Sequence, residues 1–340
     1  MTVRLKDIAS DLNLSKMTIS KVLRGQTDVS AETKARVLQR MRELNYRPNI
    51  SARSLRTGNS FSIGLVIPSL TDHFFAEIAK GLGQVVRASG YGLLISSSED
   101  DPEIEQKEIE LQLSRQVDAL LVASVQESPE FFTSLGEQKA PLVLIGRRLP
   151  PFMSHFVGLR DQDIGYMAAA HLIRAGCRRI AYLRGPRTAA ADLRYSGYLA
   201  ALHEFKVPFK PGLVLEAGDT DRHEYRRGVE GISRLLTKAG RPDGAICYTD
   251  LLALGAIDGA LERGLRVPDD LAIVGCGNLS FAHEMRVPLS SVDLVEREIG
   301  QRAAKLVLRL LSDKDGTAGR ALMLSPRLVA RRSSQRAVKT

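Results

Sequence analysis

Leu5-Lys6-Asp7-Ile8-Ala9-Ser10-Asp11-Leu12-Asn13-Leu14-Ser15-Lys16-Met17-Thr18-Ile19-Ser20-Lys21-Val22-Leu23-Arg24-Gly25 decides how the rest of the chain is read. Leu5, Ile8, Ala9 and Leu12 recur at the spacing of one apolar helix face. Asn13-Leu14-Ser15 interrupts that face, and Ser15 is a good N-cap for a second helix, Lys16 to Arg24, which Gly25 stops. Two short helices around so short a break form a helix-turn-helix pattern. On a helical wheel Ile19, Val22 and Leu23 fall on one side of the second helix. Met17, Ser20, Lys21 and Arg24 fall on the other, with Lys16 at the N-terminal end. Such an outward face carries donors for guanine edges and phosphates and an apolar contact for a thymine methyl. A generic lysine-bearing surface helix would give the same wheel.

Moving outward, Ser30 caps a third helix with Val37, Leu38, Met41 and Leu44 on one face, ending before Arg47-Pro48. Residues 1–60 hold 12 Lys/Arg against 5 Asp/Glu, so this segment carries +7 of the chain's +9. Charge concentrated in this way is the footprint of a polyanion partner. Pro48-Asn49-Ile50-Ser51-Ala52-Arg53-Ser54-Leu55-Arg56-Thr57-Gly58 is bracketed by Pro and Gly as a short helix would be. A helix of that length is marginal alone in water and suits a segment that orders on binding; an ordinary linker is the alternative.

From Phe61 strands alternate with helices. Apolar runs occur at Ser62–Ile67, Gly92–Ser96, Ala119–Ala123, Leu142–Ile145, Ile180–Leu183, Ala245–Cys247 and Leu271–Val274. Continuous apolar runs between amphipathic segments belong to parallel sheets covered on both faces. The 340 residues are too many for one core and enough for two or three domains. No apolar run reaches the ~20 residues of a membrane span, and no apolar stretch follows the first basic residues as in a signal peptide. Cys177, Cys247 and Cys276 are odd in number and lack CxxC spacing, which fits a reducing cytoplasm. No P-loop, HExxH or GxSxG string is present, and Gly275-Cys276-Gly277-Asn278-Leu279-Ser280 lacks the last glycine of a dinucleotide loop. The six histidines have no metal spacing. An enzyme, a cofactor and a metal site are therefore not expected.

Leu5–Ala9, Leu14–Gly25, Val29-Ser30-Ala31-Glu32-Thr33 and Leu44-Asn45-Tyr46-Arg47-Pro48-Asn49 together resemble the head of the LacI/GalR repressor family. The resemblance implies a recognition helix in the major groove, with Lys16, Met17 and Lys21 at bases and Thr18 and Ser20 at phosphates. Ser15, Arg24 and Asn49 complete the expected DNA-binding set. It makes the segment after Pro48 a hinge helix pairing with its dimer mate in the minor groove. There Leu55 would be a wedge that unstacks a base step, Ala52 would line the groove, and Arg53 and Arg56 would meet phosphates. Two positions depart from the pattern. Lys21 stands where Arg is common, turning a bidentate guanine contact into a point charge. Arg4 stands where Thr or Ser usually caps the first helix.

The likeness continues through Ile63–Ile78, His171–Gly176, Ile180–Leu183, Arg194–Tyr198, Asp250–Ala256, Gly264–Asp270 and Pro326-Arg327-Leu328. It implies two α/β subdomains of the periplasmic-binding-protein fold joined by three crossovers, with an effector cleft between them. The expected domains are a helix-turn-helix head at 1–47, a hinge at 48–60 and a core at 61–340. The core divides into an N-subdomain of about 61–160 plus 290–325 and a C-subdomain of about 161–289 plus 326–340. His73 and Phe74 follow the first core strand, and an aromatic ring there could stack on a ligand. Arg194 matches a family arginine that pairs with a ligand hydroxyl or carboxylate. Asp250 either accepts from ligand hydroxyls or caps the helix Leu251–Leu261. Arg147 and Asn278 also follow strands.

Gly146 and Gly277 occupy strand ends where several relatives have Asp, and Thr220 stands where some have an aromatic ring. A pocket that has lost acids and kept Arg147 and Arg194 favours an anionic effector such as a sugar acid or phosphosugar. The expected whole is a cytoplasmic, nucleoid-associated homodimer that reads a pseudo-palindromic operator under control of a small molecule, with repression as the family default. The tail lacks the leucine heptads of a coiled-coil tetramer.

Overall fold

The computed structural model describes residues 3–23, 28–46, 54, 57–135, 140–149, 152, 155–216, 223–237, 240–312 and 319–336. Backbone contacts divide the chain into two compact units, 1–60 and 61–340.

The first unit is built from α1 (Leu5–Asp11), α2 (Lys16–Leu23) and α3 (Ala31–Glu43). The missing Ser or Thr before α1 is compensated from within the helix: the Asp7 carboxylate accepts the Arg4 N–H at 2.8 Å. An acid in the first turn also suits the positive end of the helix dipole. Asn13, at φ 52, makes the turn into α2, a conformation Asn tolerates. Ser15 Oγ accepts the Thr18 N–H at 3.0 Å, and Ser30 Oγ accepts the Thr33 N–H at 3.2 Å, so each hydroxyl caps the helix it precedes. Ile8, Ala9, Ile19, Val22, Val37 and Met41 form the small core. Leu38, placed on the apolar face by spacing, is 39% exposed. Arg40 ties α3 to α1 through Asp11 at 2.7 Å and also holds Glu43 at 3.0 Å.

The second unit contains two six-stranded sheets. The first holds β1 (Ser62–Ile67), β2 (Gly92–Ser97), β3 (Ala119–Val122), β4 (Leu142–Ile145), β5 (His155–Leu159) and β11 (Ala321–Leu324). Its order is β2-β1-β3-β4-β5-β11, parallel throughout. The second holds β6 (Ile180–Arg184), β7 (Val214–Glu216), β8 (Gly244–Cys247), β9 (Ala272–Cys276), β10 (Ser290–Asp293) and β12 (Arg327–Val329). Its order is β7-β6-β8-β9-β10-β12, with only β12 antiparallel. The chain changes sheet after β5, after β10 and after β11. Ser290–Asp293, expected in the first subdomain, pairs instead with β9, so that crossing falls after Asp293. Its two buried serines hydrogen-bond to neighbouring groups, which is why no apolar run marks the strand.

Helices cover both sheets: α4 (His73–Ala88), α5 (Pro102–Ser114), α6 (Glu130–Ser134), α7 (Asp161–Arg174), α8 (Ala189–Glu204), α9 (Glu224–Leu236), α10 (Asp250–Leu261) and α11 (Glu296–Ser312). The α7–α8 contact fixes the site described below. A Cβ at Gly165 would stand 1.7 Å from the Arg194 carbonyl oxygen, and one at Gly197 1.9 Å from that of Gln162. Only hydrogen at both positions lets the two backbones meet. In each sheet the strand order reverses beside one strand, at β1/β3 and at β6/β8. The carboxyl ends beside such reversals are where open parallel sheets bind ligands. Among the described residues no helix is long and apolar enough to cross a membrane.

Candidate nucleic-acid interface and effector cleft

The outer face of α2 begins at the cap. Ser15 and Thr18 share a hydrogen bond between hydroxyls at 2.9 Å, so both are held in the first turn. Lys16 is exposed, and Met17 is 63% exposed, an unusual position for a long apolar side chain. Ser20 is half-buried. Lys21 forms an ion pair with Asp28. Of the expected residues, Lys16, Met17, Thr18, Ser20 and Lys21 lie on α2, with Lys21 already engaged by an acid that sequence spacing did not point to. Arg24, Asn49, Ala52, Arg53, Leu55 and Arg56 lie outside the described residues, as does Thr220. Nearby, the Gly58 N–H donates to the Ser54 carbonyl at 2.8 Å, an i→i+4 bond.

In the core, the carboxyl ends of both sheets bring the expected residues together. After β1, Asp72 caps α4 by accepting the Phe74 N–H at 2.9 Å, which sets half-buried His73 and Phe74 in the first turn. Phe74 packs edge-on to Phe75, with ring centres 5.1 Å apart. After β8 come Tyr248, Thr249 and Asp250. Thr249 caps α10 by accepting the Leu252 N–H at 3.2 Å, so Asp250 is not the cap. Asp250 is 2% exposed and accepts from the Ser291 hydroxyl at 2.6 Å and from the Leu279 N–H at 2.7 Å. Burial pushes its carboxyl above the ordinary value, opposed by those two bonds and by the charges of Arg331 and His73. Burial likewise raises Asp72, against the Phe74 N–H, His73 and Arg194. β1 and β8 belong to different sheets, yet His73 is close enough to act on Asp250 and Arg194 on Asp72, so the strand ends of the two sheets come near one another here.

Arg194 is the best-defined member. Its Nε donates to Asp161 at 2.9 Å, and both side chains are 8% exposed. The guanidinium lies 4.7 Å from the centre of the Tyr248 ring. Burial works against its charge, but Tyr248 and Asp161 outweigh that, and its pKa is raised. The pair corrects the premise of an acid-poor pocket: Asp161, Asp72, Asp250, Asp293 and Glu296 all lie around the cleft, and the positive charge of Arg194 is already matched. Asn278 is also committed to protein. Its Nδ2 donates to Asp293 at 3.2 Å, and its Oδ1 accepts from Arg331 at 2.7 Å. Arg147 follows β4, half-buried and within electrostatic reach of Glu105. Sequence reading missed Asp72, Asp161, Tyr248, Asp293, Glu296 and Arg331. Their positions just after strands or at helix starts were the available signal; pairing Asp161 with Arg194, 33 residues on, needs the α7–α8 packing. Among the described residues no cluster of His, Cys, Asp or Glu could hold a metal. A depression of about 380 Å³ lies elsewhere, between α7 (Asp163, Tyr166, Met167, Ala170, Arg174) and Ser325-Pro326. It shares none of the cleft residues, and the chemistry favours the cleft.

A three-helix head with an outward basic helix, joined to a two-sheet core with a polar cleft at its strand ends, defines a ligand-responsive DNA-binding regulator. The profile of bacterial regulatory proteins of the lacI family matches residues 4–49, and that of the periplasmic binding protein-like domain matches residues 169–334. The ribose operon repressor of Haemophilus influenzae (strain ATCC 51907 / DSM 11121 / KW20 / Rd) is 31% identical over 97% of this chain and 98% of its own. The HTH-type transcriptional repressor PurR of Haemophilus influenzae (strain PittEE) is 30% identical over the same shares. Among solved structures, the complex of the transcriptional regulator CelR with cellobiose is 27% identical, covers 97% of this chain and 99% of its own, and superposes with a TM-score of 0.71. The chain belongs to the LacI family. It is a DNA-binding transcriptional regulator and not an enzyme.

Proposed function

We propose that this protein is a cytoplasmic homodimeric repressor whose two heads read a pseudo-palindromic operator and whose cleft binds a sugar or a related polyhydroxy metabolite. Residues 1–47 are the reading head, 48–60 the hinge, and 61–340 the sensor and dimerisation core. In the head, Lys16, Met17 and Lys21 contact base edges, and Ser15, Thr18, Ser20 and Arg24 contact the backbone. Asn49, Ala52, Arg53, Leu55 and Arg56 form the minor-groove element, with Leu55 as its wedge. In the core, His73, Phe74, Arg147, Arg194 and Asp250 contact the effector, and Asn278 positions Asp293 and Arg331 around it.

The observation that carries the sensor reading is the buried Arg194–Asp161 pair beside the Tyr248 ring, facing Asp72 across the cleft. An aromatic face with carboxylate acceptors and guanidinium donors is the equipment for a hydroxylated ring, which needs all three. Arg147 alone favours the second reading, a sugar acid or phosphosugar, because the charge of Arg194 is already compensated. A thermal-shift screen with neutral, acidic and phosphorylated sugars tests both. A ligand of the folded state raises stability by ~2.7 kcal/mol at a hundredfold excess over its Kd. A hit that disappears in Arg194→Ala supports the cleft; unchanged affinity in that variant overturns it. Leu55→Ala is expected to weaken operator binding and leave the sugar response intact. Equal operator affinity would remove the wedge.

A further inference from the structure

We propose that the effector carries an ammonium group, an amino sugar being the simplest such ligand, and that Glu296, backed by Asp250 and Asp293, receives it. This deepens the sensor reading and rests on it. Glu296 opens α11 immediately after the chain leaves the second sheet, so it stands at a crossover beside the cleft. It is 6% exposed, and its Oε1 is buried with no hydrogen-bond partner. A buried acceptor left unpaired costs roughly 1–3 kcal/mol, and the structure as it stands leaves that cost in place. A donor arriving with the ligand would remove it.

The surroundings select the kind of donor. Asp293 at the end of β10, Asp250 at the start of α10 and Glu77 of α4 all lie close enough to act on the charge of Glu296. Glu77 is taken up by Arg297 at 2.7 Å and Lys80 at 3.2 Å. The nearby cation Arg331 is spent on the Asn278 side chain and the Leu289 carbonyl, both at 2.7 Å. Among the described residues no Lys or Arg pairs with Glu296. With Glu296 ionised the cluster has more acid than base, and a neutral hydroxyl does not support that ionised form where an ammonium does. Gly277, at φ 124, adds no side chain beside Asp250. A metal ion is the other cation such acids could take, but no metal-competent group occurs among the described residues.

Burial and the neighbouring acids push the Glu296 carboxyl up to about 8. In the free protein at neutral pH it therefore keeps its proton. When an ammonium seats against it, the carboxyl ionises, and that proton leaves for solvent as the ion pair forms. Binding below pH 8 then releases one proton, and affinity rises with pH.

The test uses the full chain with glucosamine, galactosamine and mannosamine, each beside its parent hexose and its N-acetyl form, by thermal shift and then by calorimetry in two buffers of different ionisation enthalpy. The expected result is an amino sugar that outbinds its parent hexose and its N-acetyl form, with proton release. Its affinity should gain on the order of twentyfold between pH 6.0 and 7.5, as linkage to a group at about 8 requires. Glu296→Gln, an isostere of the protonated form, should bind hexose and amino sugar alike and show neither proton release nor the pH gain. Binding confined to neutral or acidic sugars overturns the ammonium proposal and leaves the sugar-sensor reading standing. Amine discrimination that survives in Glu296→Gln overturns the role of Glu296. The absence of a shift with any sugar, neutral, acidic or amino, overturns both.

Discussion

Glu296 also sets a stability expectation that needs no ligand. Its folded-state carboxyl lies at about 8 against an ordinary 4.5, so the folded chain holds this proton more tightly than the unfolded one. The group is neutral to folding below pH 4.5, and its cost grows as pH climbs to about 8 and then levels off. Glu296→Gln removes the titration. It should nearly match the parent at pH 4 and exceed it by on the order of a few kcal/mol at pH 9, read as denaturation midpoints at the two pH values. A constant difference would show that the carboxyl does not titrate in this range. Arg194→Ala makes the complementary case. It strands the Asp161 carboxylate at 8% exposure, and losing one partner of a buried pair costs about 3–5 kcal/mol. Pairing with Asp161→Asn should recover part of the loss in a double-mutant cycle. At this scale the sequence names residues better than their partners. Arg194, Asp250 and His73 were legible because each follows a strand or sits in a recognisable motif. That Asp161 neutralises Arg194 and that Thr249, not Asp250, caps α10 depends on side-chain positions that spacing does not encode.

Elements were read well where burial is continuous and poorly where it is not. β1, β3, β8 and β9 are buried along almost their whole length and stand out as apolar runs. β7 is a three-residue, half-buried edge strand, β11 is an edge strand with largely exposed side chains, and β10 carries buried serines, so none has the expected pattern. In the head the caps Ser15 and Ser30 were legible because N-capping is local chemistry. Leu38 misled because a periodic face is wider than the stripe that packs. Two outcomes belong here. Ser30→Ala removes the acceptor for the Thr33 N–H and should cost the head about 1 kcal/mol, measured by thermal melts. Gly197→Ala places a methyl 1.9 Å from the Gln162 carbonyl oxygen, so α8 must move off α7 and carry Arg194 with it. The expected outcome is a lower Tm and weaker sugar binding. A variant with normal binding would mean that the α7–α8 contact does not set the position of the guanidinium.

For the whole molecule, the division of charge and of core makes head and sensor separable by experiment. Most of the excess positive charge lies in residues 1–60, whose core is only Ile8, Ala9, Ile19, Val22, Val37 and Met41, whereas the sensor unit builds its own, far larger clusters. A 60-residue unit is marginal on folding, so small losses there matter more than the same losses in the sensor. Val37 is fully buried, and all its apolar neighbours lie in the head. Val37→Ala removes two methyl groups and leaves a cavity, a cost of about 2 kcal/mol. That is enough to populate unfolded heads measurably, and recognition needs a formed α2 in each half of the dimer. Operator affinity should therefore fall by tenfold or more, while sugar affinity in the cleft stays at its parent value. Operator binding by the parent should also weaken steeply between 50 and 200 mM salt, as counterion release requires of a basic head, with the sugar affinity flat over the same range. Fluorescence anisotropy on operator DNA and calorimetry on the sugar read the two halves independently. A Val37→Ala chain that loses sugar binding together with DNA binding would show that the sensor depends on the folded head, against the separation on which this reading of the molecule rests.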